Sequence, residues 1–331
     1  MVVARELVLP ATAPFDGDAL HGVLAARAAA GLERVGEGTY ARTVRLPGGP
    51  GTVALDLVAG ARPSTPRPGG GAGPRADEGD AVVSGTVRLA DPGDHDDAVA
   101  RVRALLDLDA DPAVVDAHLA RDPALAPLVA ARPGLRVLGT VDPFELALRA
   151  VIGQQVSVAA ARTVLGRIVT DHGEPVPAEL EPVAAVSSGL PPAGRGARDR
   201  EDDPPRLRLL PAPATVAALP DAALPMPRSR AATVRQLGAA VAAGEVDLRP
   251  GAGAGEATAA LLALPGIGPW TAGYVAMRGL GDRDAFPAGD LVLRRSAGVL
   301  GLPSDERGLA RYAERWSPWR AYAAQHLWAA A

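Results

Sequence analysis

Apolar and polar residues alternate along much of the first 90 residues, as they do in strands that bury one face. A helical pattern with one apolar side interrupts this alternation at residues 17–30, and the turn sequence Gly48-Gly-Pro-Gly51 separates two of the alternating runs. The predicted strands cover residues 6–9, 40–46, 52–58 and 81–89. The pattern predicts a small antiparallel sheet with a helix on one face.

From residue 94 onward the apolar positions recur with the period of a helix that buries one side. Asp142-Pro143 and Ser317-Pro318 each have the form of an N-cap followed by proline at the first helical position. The predicted helices cover residues 94–107, 111–121, 142–153, 157–171, 213–219, 228–243, 256–264, 269–280, 291–300, 305–316 and 318–329. The fold class is therefore α+β: an N-terminal antiparallel sheet domain over residues 1–90 precedes a mostly α-helical domain over residues 91–331.

Two segments have compositions that cannot bury enough apolar surface to offset the entropy of ordering them. Between residues 62 and 80, nine of 19 residues are proline or glycine. Between residues 187 and 205, 14 of 19 residues are proline, glycine or charged. We expect both segments to be disordered surface insertions without a catalytic role.

The composition excludes several kinds of chemistry. The chain has no cysteine, and all 34 residues counted as lysine or arginine are arginine. Disulfides, thiolate metal sites and cysteine nucleophiles are therefore excluded, as is a Schiff base on a lysine side chain. The five histidines do not have the spacing of metal ligands, so we expect no catalytic metal site.

The chain also lacks the features of a membrane or exported protein. Its uncharged apolar runs are shorter than the roughly 18–20 residues of a membrane span, and residues 1–30 contain several acidic residues, unlike a signal peptide. We expect a cytoplasmic monomer with no membrane partner. The formal net charge of −4 is unusual for a nucleic-acid-binding protein, but residues 264–331 hold eight arginines against six acidic residues.

The most informative stretch is a short turn between two predicted helices. The first helix ends at Leu264, the sequence Pro265-Gly-Ile-Gly268 follows, and Pro269 begins the second helix. Glycines leave the backbone uncovered, so that amides at the start of the second helix can bind a phosphate without a basic side chain. The alternative is an ordinary helical hairpin in which glycine and proline only form the turn. We place the candidate hairpin at residues 264–272.

A second candidate is Asp290, which lies directly before an apolar helical run. A helix N-cap is the simplest interpretation. A carboxylate in that position is also held in one geometry and kept ionised, as stabilising a developing cation requires.

Eight of the 11 aromatic residues lie in the last 62 positions, and two of them, Trp270 and Tyr274, lie one helical turn apart. Such aromatic faces suit a flat, electron-poor ring.

These residues form part of a pattern that is typical of a known family. The pattern also includes Arg149-Ala-Val-Ile-Gly-Gln-Gln-Val-Ser-Val158 and Tyr312-Ala-Glu-Arg-Trp-Ser-Pro-Trp-Arg-Ala-Tyr322. The sequence resembles the helix-hairpin-helix DNA glycosylases, and among them the AlkA-type DNA-3-methyladenine glycosylase II family. The resemblance covers nearly the whole chain. The hairpin alone indicates only the superfamily, and the closing Glu-Arg-Trp-x-Pro-Trp-Arg block is more specific.

The resemblance implies roles for individual residues. Asp290 falls on the catalytic aspartate, and Gln155 falls on the wedge that enters the duplex, where an apolar residue is usual. Val23 and Leu291 stand where aromatic residues often line the pocket. The pocket that holds the flipped base corresponds to Trp270, Tyr274 and Trp328, and the phosphate-binding hairpin to Gly266, Ile267 and Gly268.

The resemblance also implies a reaction. Double-stranded DNA containing alkylated bases is the expected partner, and hydrolysis of the N-glycosidic bond needs neither a metal nor an organic cofactor. Superfamily members that also cleave the backbone use a lysine at the position of Trp270, so we expect no lyase activity here. Two alternatives stay open: a non-catalytic lesion-sensing DNA-binding protein, and a glycosylase for another class of damaged base.

Overall fold

The structure is a computed structural model, and it describes residues 2–58, 81–182 and 206–331. The predicted insertions at residues 62–80 and 187–205 both lie outside the described residues. Within the described part of the chain, no helix is long and apolar enough to cross a membrane.

The N-terminal part contains the predicted antiparallel sheet, here with five strands in the order β1-β5-β4-β3-β2. The helix α1 (Gly17–Arg27) follows the first strand, and Asp16 caps it by accepting a hydrogen bond from the Ala19 amide. Gly85 allows the central strands to approach, because a Cβ there would lie 2.3 Å from the Ala54 carbonyl oxygen. The strands are β1 Val3–Ala11, β2 Glu33–Val35, β3 Thr39–Leu46, β4 Gly49–Asp56 and β5 Ala81–Leu89.

The remainder is mostly helical, as predicted, with one two-stranded ribbon of β6 (Glu174–Pro175) and β7 (Arg208–Leu209). The pattern did not predict α4, which has only six residues and therefore shows too little periodicity. The helices are α2 His95–Leu106, α3 Pro112–Leu119, α4 Ala126–Ala131, α5 Pro143–Ile152, α6 Val158–His172, α7 Pro213–Ala217, α8 Arg228–Ala242, α9 Ala254–Leu262, α10 Pro269–Gly279, α11 Leu291–Val299, α12 Glu306–Ala313 and α13 Arg320–Ala329.

The two predicted proline-marked helix starts have different outcomes. Asp142 caps α5, accepting hydrogen bonds from the amides of Phe144 (2.9 Å) and Glu145 (3.3 Å), which confirms the first. The second is wrong, because α13 begins at Arg320 rather than after Ser317. The Ser317 hydroxyl donates instead to Asp284, at 2.9 Å, and a tertiary contact therefore overrides the local capping signal.

Apolar and ionic contacts both join the sheet to the helices. The buried apolar cluster of the sheet continues through α2 as far as Val141, beyond residue 90, where we placed the domain boundary. Beside it, Arg149 of α5 pairs with Glu33 of β2 (2.6 Å) and with Glu145 (2.8 Å), and Glu145 pairs with Arg42 of β3 (2.5 Å). Burial alone would raise the pKa of Glu33, but the charges of Arg149 and Arg42 outweigh burial and hold it below its usual range.

Candidate active site

The hairpin between α9 and α10 depends on the different surroundings of its two glycines. Gly266 has a φ of 86°, and a Cβ there would lie 2.1 Å from the Thr233 hydroxyl oxygen. Only glycine fits such a position without strain. Gly268 has an ordinary φ of −97°, and a Cβ there would meet nothing within 4 Å. The first glycine is therefore required by the fold, whereas the second leaves open space at the start of α10.

Several amides of the hairpin have no acceptor in the part of the chain that the structure describes. The Ile267 amide donates to the Leu264 carbonyl, and the Ile267 side chain is buried in the core. The amides of Gly266, Gly268 and Trp270 have no such partner among the described residues. Free amides at the positive end of a helix dipole form a site for an anion such as a phosphate.

Asp290 is the N-cap of α11, as the simplest interpretation predicts, but it has further partners. One carboxylate oxygen, Oδ1, accepts from the amides of Val292 and Leu293, both at 2.9 Å. The same oxygen accepts from the indole Nε1 of Trp328 at 3.1 Å, and Oδ2 accepts from the indole of Trp270 at 2.7 Å. Because Oδ2 has a single protein donor, it keeps the capacity to bind a water molecule or a cation.

The aromatic residues predicted for the base pocket lie together around Asp290. The rings of Trp270 and Tyr274 are stacked, with centroids 5.3 Å apart and an interplanar angle of 12°. Trp328 meets Tyr274 edge to face, at 6.4 Å between centroids. The structure thus brings together residues that are up to 58 positions apart in the sequence.

Two arginines beside this cluster were not among the predicted site residues. Arg278, one turn after Tyr274 in α10, donates to the Tyr274 hydroxyl oxygen (3.0 Å) and to the Leu138 carbonyl (2.5 Å). Burial alone would raise the pKa of Tyr274, but the nearby charges of Arg278 and Arg27 outweigh it and hold that pKa below its usual value. The i, i+4 spacing of Tyr274 and Arg278 was the available signal.

The predicted wedge, Gln155, lies in the loop between α5 and α6. We call residues 153–157 the wedge loop. Gln155 is exposed and has a left-handed φ of 58°. The side-chain amide of the preceding Gln154 donates to the Gly266 carbonyl at 3.1 Å and to the Thr271 hydroxyl at 3.2 Å. The wedge loop is therefore attached directly to the hairpin.

The two positions where the family often has aromatic residues differ in environment. Val23 is half-buried against the apolar core of the sheet. Leu291 is 53% exposed beside Asp290. Among the described residues, no group of three or more histidine, aspartate or glutamate side chains is placed to hold a metal ion.

Solved structures with the same architecture include two DNA glycosylases. The 3-methyladenine DNA glycosylase from Archaeoglobus fulgidus superposes with a TM-score of 0.67 at 18% identity, over 98% of this chain and 97% of its own. The 8-oxoguanine glycosylase/lyase of Clostridium acetobutylicum, in complex with double-stranded DNA, gives 0.65 at 15% identity, over 99% and 96%. At these identities the likeness shows the fold alone, which this chain shares with both glycosylases.

Sequence comparison gives the family. Residues 6–142 match the family model of the AlkA N-terminal domain. DNA-3-methyladenine glycosylase 2 of Escherichia coli is 33% identical over 330 residues, which cover 95% of this chain and 94% of the relative. The probable bifunctional transcriptional activator/DNA repair enzyme AlkA of Mycobacterium tuberculosis is 42% identical over 98% of this chain, which spans only 56% of that relative. The chain belongs to the AlkA family of DNA-3-methyladenine glycosylases, and the resemblance in the sequence is confirmed.

Proposed function

We propose that this protein removes alkylated purines of the 3-methyladenine type from double-stranded DNA by hydrolysing their N-glycosidic bond, which leaves an abasic site. The observation that carries the proposal is the setting of Asp290. A helix cap needs only the two backbone amides, but this carboxylate also accepts hydrogen bonds from two indoles of an aromatic cluster. The name of the Escherichia coli relative supports the class of substrate.

Binding has to bring the damaged base out of the duplex, because its glycosidic bond is not accessible inside the stack. The free amides of Gly266 and Gly268 would hold a backbone phosphate beside the lesion. Gln155 would enter the space that the base leaves. The stacked Trp270 and Tyr274 offer aromatic surface to the flipped base, which attracts an electron-poor purine.

The chemistry needs one carboxylate. A purine alkylated at N3 or N7 carries a positive charge, so it leaves as a neutral base when it takes the electron pair of the glycosidic bond. The sugar becomes an oxocarbenium-like cation, and the Asp290 carboxylate stabilises that charge. A water molecule then attacks C1′, and its proton passes to bulk water. The free acceptor capacity of Oδ2 suits the orientation of that water.

The amino-acid composition of the chain supports base removal without strand cleavage. A glycosylase that also cleaves the strand through an imine needs an uncharged amine, and these 331 residues contain no lysine. Arginine stays protonated and cannot replace it. Borohydride treatment of the protein with lesion-containing DNA should therefore give no covalent adduct, and strands should break only after alkali or heat. Efficient trapping would contradict this part of the proposal.

Mass spectrometry of the bases released from methylated duplex DNA tests the main proposal. We expect release of 3-methyladenine or 7-methylguanine above the level found without protein, and no release from unmethylated DNA. Binding to methylated DNA without release would favour the non-catalytic lesion sensor. Release confined to oxidised or mismatched bases from DNA that carries them would favour a glycosylase of another class.

A further inference from the structure

The wedge loop and the hairpin meet through one side chain. Gln154, directly before the exposed Gln155, donates from its amide nitrogen to the Gly266 carbonyl and to the Thr271 hydroxyl, at 3.1 and 3.2 Å. Gly266 forms the turn and Thr271 lies in the first turn of α10. Gln154 therefore contacts both sides of the amides that are free to bind phosphate.

A second clamp holds the hairpin from α8. The Thr233 hydroxyl is within hydrogen-bond distance of the Pro265 carbonyl (3.0 Å) and of the Ser229 carbonyl in its own helix (3.1 Å), and its single proton can go to only one of them at a time. Gln154 and Thr233 thus hold two successive carbonyls, and with them the two planar peptide units that meet at Gly266. The C=O and N–H of this trans peptide lie in one plane and point in opposite directions, so the Gly266 amide points away from Thr233, toward which the Pro265 carbonyl points. Of the two clamps, only that of Gln154 belongs to the wedge loop.

The wedge loop has few other restraints. Gln155 occupies the left-handed region that non-glycine residues avoid, so its backbone is strained. The two ends of the loop are held by backbone hydrogen bonds of ordinary length, from Gly153 to Arg149 at 2.9 Å and from Ala161 to Ser157 at 3.0 Å. Between them the backbone hydrogen bonds are long, 3.3 Å from the Gln154 amide to the Val151 carbonyl and 3.4 Å from Val156 to Gly153. Val156 is 42% exposed. The direction in which Gln155 and Val156 project therefore depends strongly on the bonds made by Gln154.

We propose that Gln154 is a positioning residue that couples phosphate binding at the hairpin to insertion of the wedge loop into the duplex. This inference rests on the proposed function. When a phosphate binds the hairpin amides, Gln154 holds the wedge loop in the geometry that places Gln155 and Val156 at the flipped base's former position. Without those hydrogen bonds the hairpin still binds DNA, but the wedge loop is not held ready to enter it.

The test compares Gln154→Met, which keeps the length of the side chain and removes its donors, with Thr233→Val. Three quantities are measured for each: affinity for undamaged duplex, base flipping reported by a 2-aminopurine beside a single 7-methylguanine, and base release at saturating protein. For Gln154→Met, which loses both hydrogen bonds, we expect flipping and saturated release to fall about tenfold, with affinity for undamaged DNA nearly unchanged. For Thr233→Val we expect weaker binding to the duplex. Base release at saturating protein should then stay close to that of the wild type, because the excess of protein compensates for the lower affinity.

A second variant, Thr271→Val, removes one of the two acceptors and should show the same split as Gln154→Met at smaller amplitude. Unchanged flipping and release in Gln154→Met would overturn the inference. So would a loss of release that simply follows lower affinity or a lower melting temperature, because a purely structural contact would act in that way. If the wild type flips the base but releases none, the proposed function fails, and flipping alone still decides the role of Gln154.

Discussion

Two clusters in the helical part surround an aspartate with the same kinds of residue, but the two aspartates differ in access to solvent. In both, an indole N–H donates to the carboxylate, at 2.8 Å in one and 2.7 Å in the other, and an arginine lies over the tyrosine ring. The closed cluster consists of Asp122, Tyr312, Arg315 and Trp316. The open cluster consists of Asp290, Trp270, Tyr274, Arg278 and Trp328.

The two aspartates differ in how far the surrounding protein encloses their carboxylates. Asp122 is 6% exposed, and it accepts from the Trp316 indole, the Tyr312 hydroxyl and the Ala124 amide, so its carboxylate completes a buried core. Asp290 is partly exposed at a helix terminus, although in both aspartates Oδ2 has a single donor among the described residues. Hydrogen bonds from tryptophan therefore do not by themselves mark a reactive aspartate. The difference between Asp290 and Asp122 is access to solvent.

Replacing each aspartate by asparagine is the strongest test of the difference between the two clusters. Asp290→Asn removes the charge that we propose stabilises the transition state, so base release should fall by about 10²–10³ while lesion DNA still binds. Single-turnover release and fluorescence anisotropy measure the two effects. Near-normal release by this variant would reduce Asp290 to a helix cap.

The matched change in the closed cluster should affect stability and not chemistry. Asp122→Asn replaces a buried hydrogen-bond acceptor, and we expect it to lower the free energy of unfolding by about 1–3 kcal/mol. The release rate per folded molecule should stay close to the wild type. A rate loss comparable to that of Asp290→Asn would contradict the distinction between the clusters.

Changes in the hairpin next to the open cluster test DNA binding separately from base release. Gly268→Ala places a methyl group in open space at the free amides, so affinity for damaged and undamaged duplex should fall by about tenfold with an unchanged melting temperature. Gly266→Ala would instead meet the Thr233 hydroxyl in a left-handed conformation and should destabilise the fold. A loss of affinity confined to one lesion would contradict the assignment of the hairpin to phosphate.

A smaller effect is expected from the indole donors. Trp328→Phe removes one of three donors to Asp290 Oδ1, so release should slow by only about threefold to tenfold, with little change in melting temperature. Trp316→Phe leaves a buried carboxylate without its indole donor and should mainly lower stability. Release assays paired with thermal denaturation distinguish the two. Equal losses of stability would show that Trp328 belongs to the core as much as Trp316.

Periodicity predicted most of the fold, and its failures have local causes. The longer strands and helices were found within a few residues of their predicted limits, because each buries one continuous face. The three-residue β2 and the two-residue strands of the ribbon are too short to show a period. The cap predicted at Ser317 failed because its hydroxyl binds Asp284, which is 33 residues away in the sequence.

The predicted site residues were those with a local signal or a family position. Asp290 precedes a helix, and Trp270 follows a glycine turn, so their positions alone drew attention to them. Gln154 and Arg27 were not predicted, since their significance lies in contacts with distant segments. Arg278 was not predicted either, although its spacing to Tyr274 was a local signal. Periodicity and spacing describe one element at a time, whereas these contacts depend on how the elements pack.

The tyrosines of the two clusters, Tyr312 and Tyr274, also differ in the pKa of their phenols, and this difference can be measured without any substrate. Burial, followed by the charge of Asp122, raises the pKa of Tyr312 in the closed cluster. Burial also raises the pKa of Tyr40 and Tyr322, each next to a carboxylate. In the open cluster the charges of Arg278 and Arg27 outweigh burial and lower the pKa of Tyr274. Of the four tyrosines in the chain, Tyr274 should therefore ionise first as the pH rises.

Ultraviolet titration of the folded protein measures this order, since each phenolate changes the absorbance. We expect the first transition to begin below the usual value of 10 and to disappear in Tyr274→Phe, whereas Tyr312→Phe should leave it in place. A phenol with a lower pKa in the folded than in the unfolded state adds stability above the unfolded value, and loses it as the pH falls. Denaturation at two alkaline pH values should show that gain in the wild type and less of it in Tyr274→Phe. A first transition that survives in Tyr274→Phe would mean that the arginines of the open cluster do not act on its phenol.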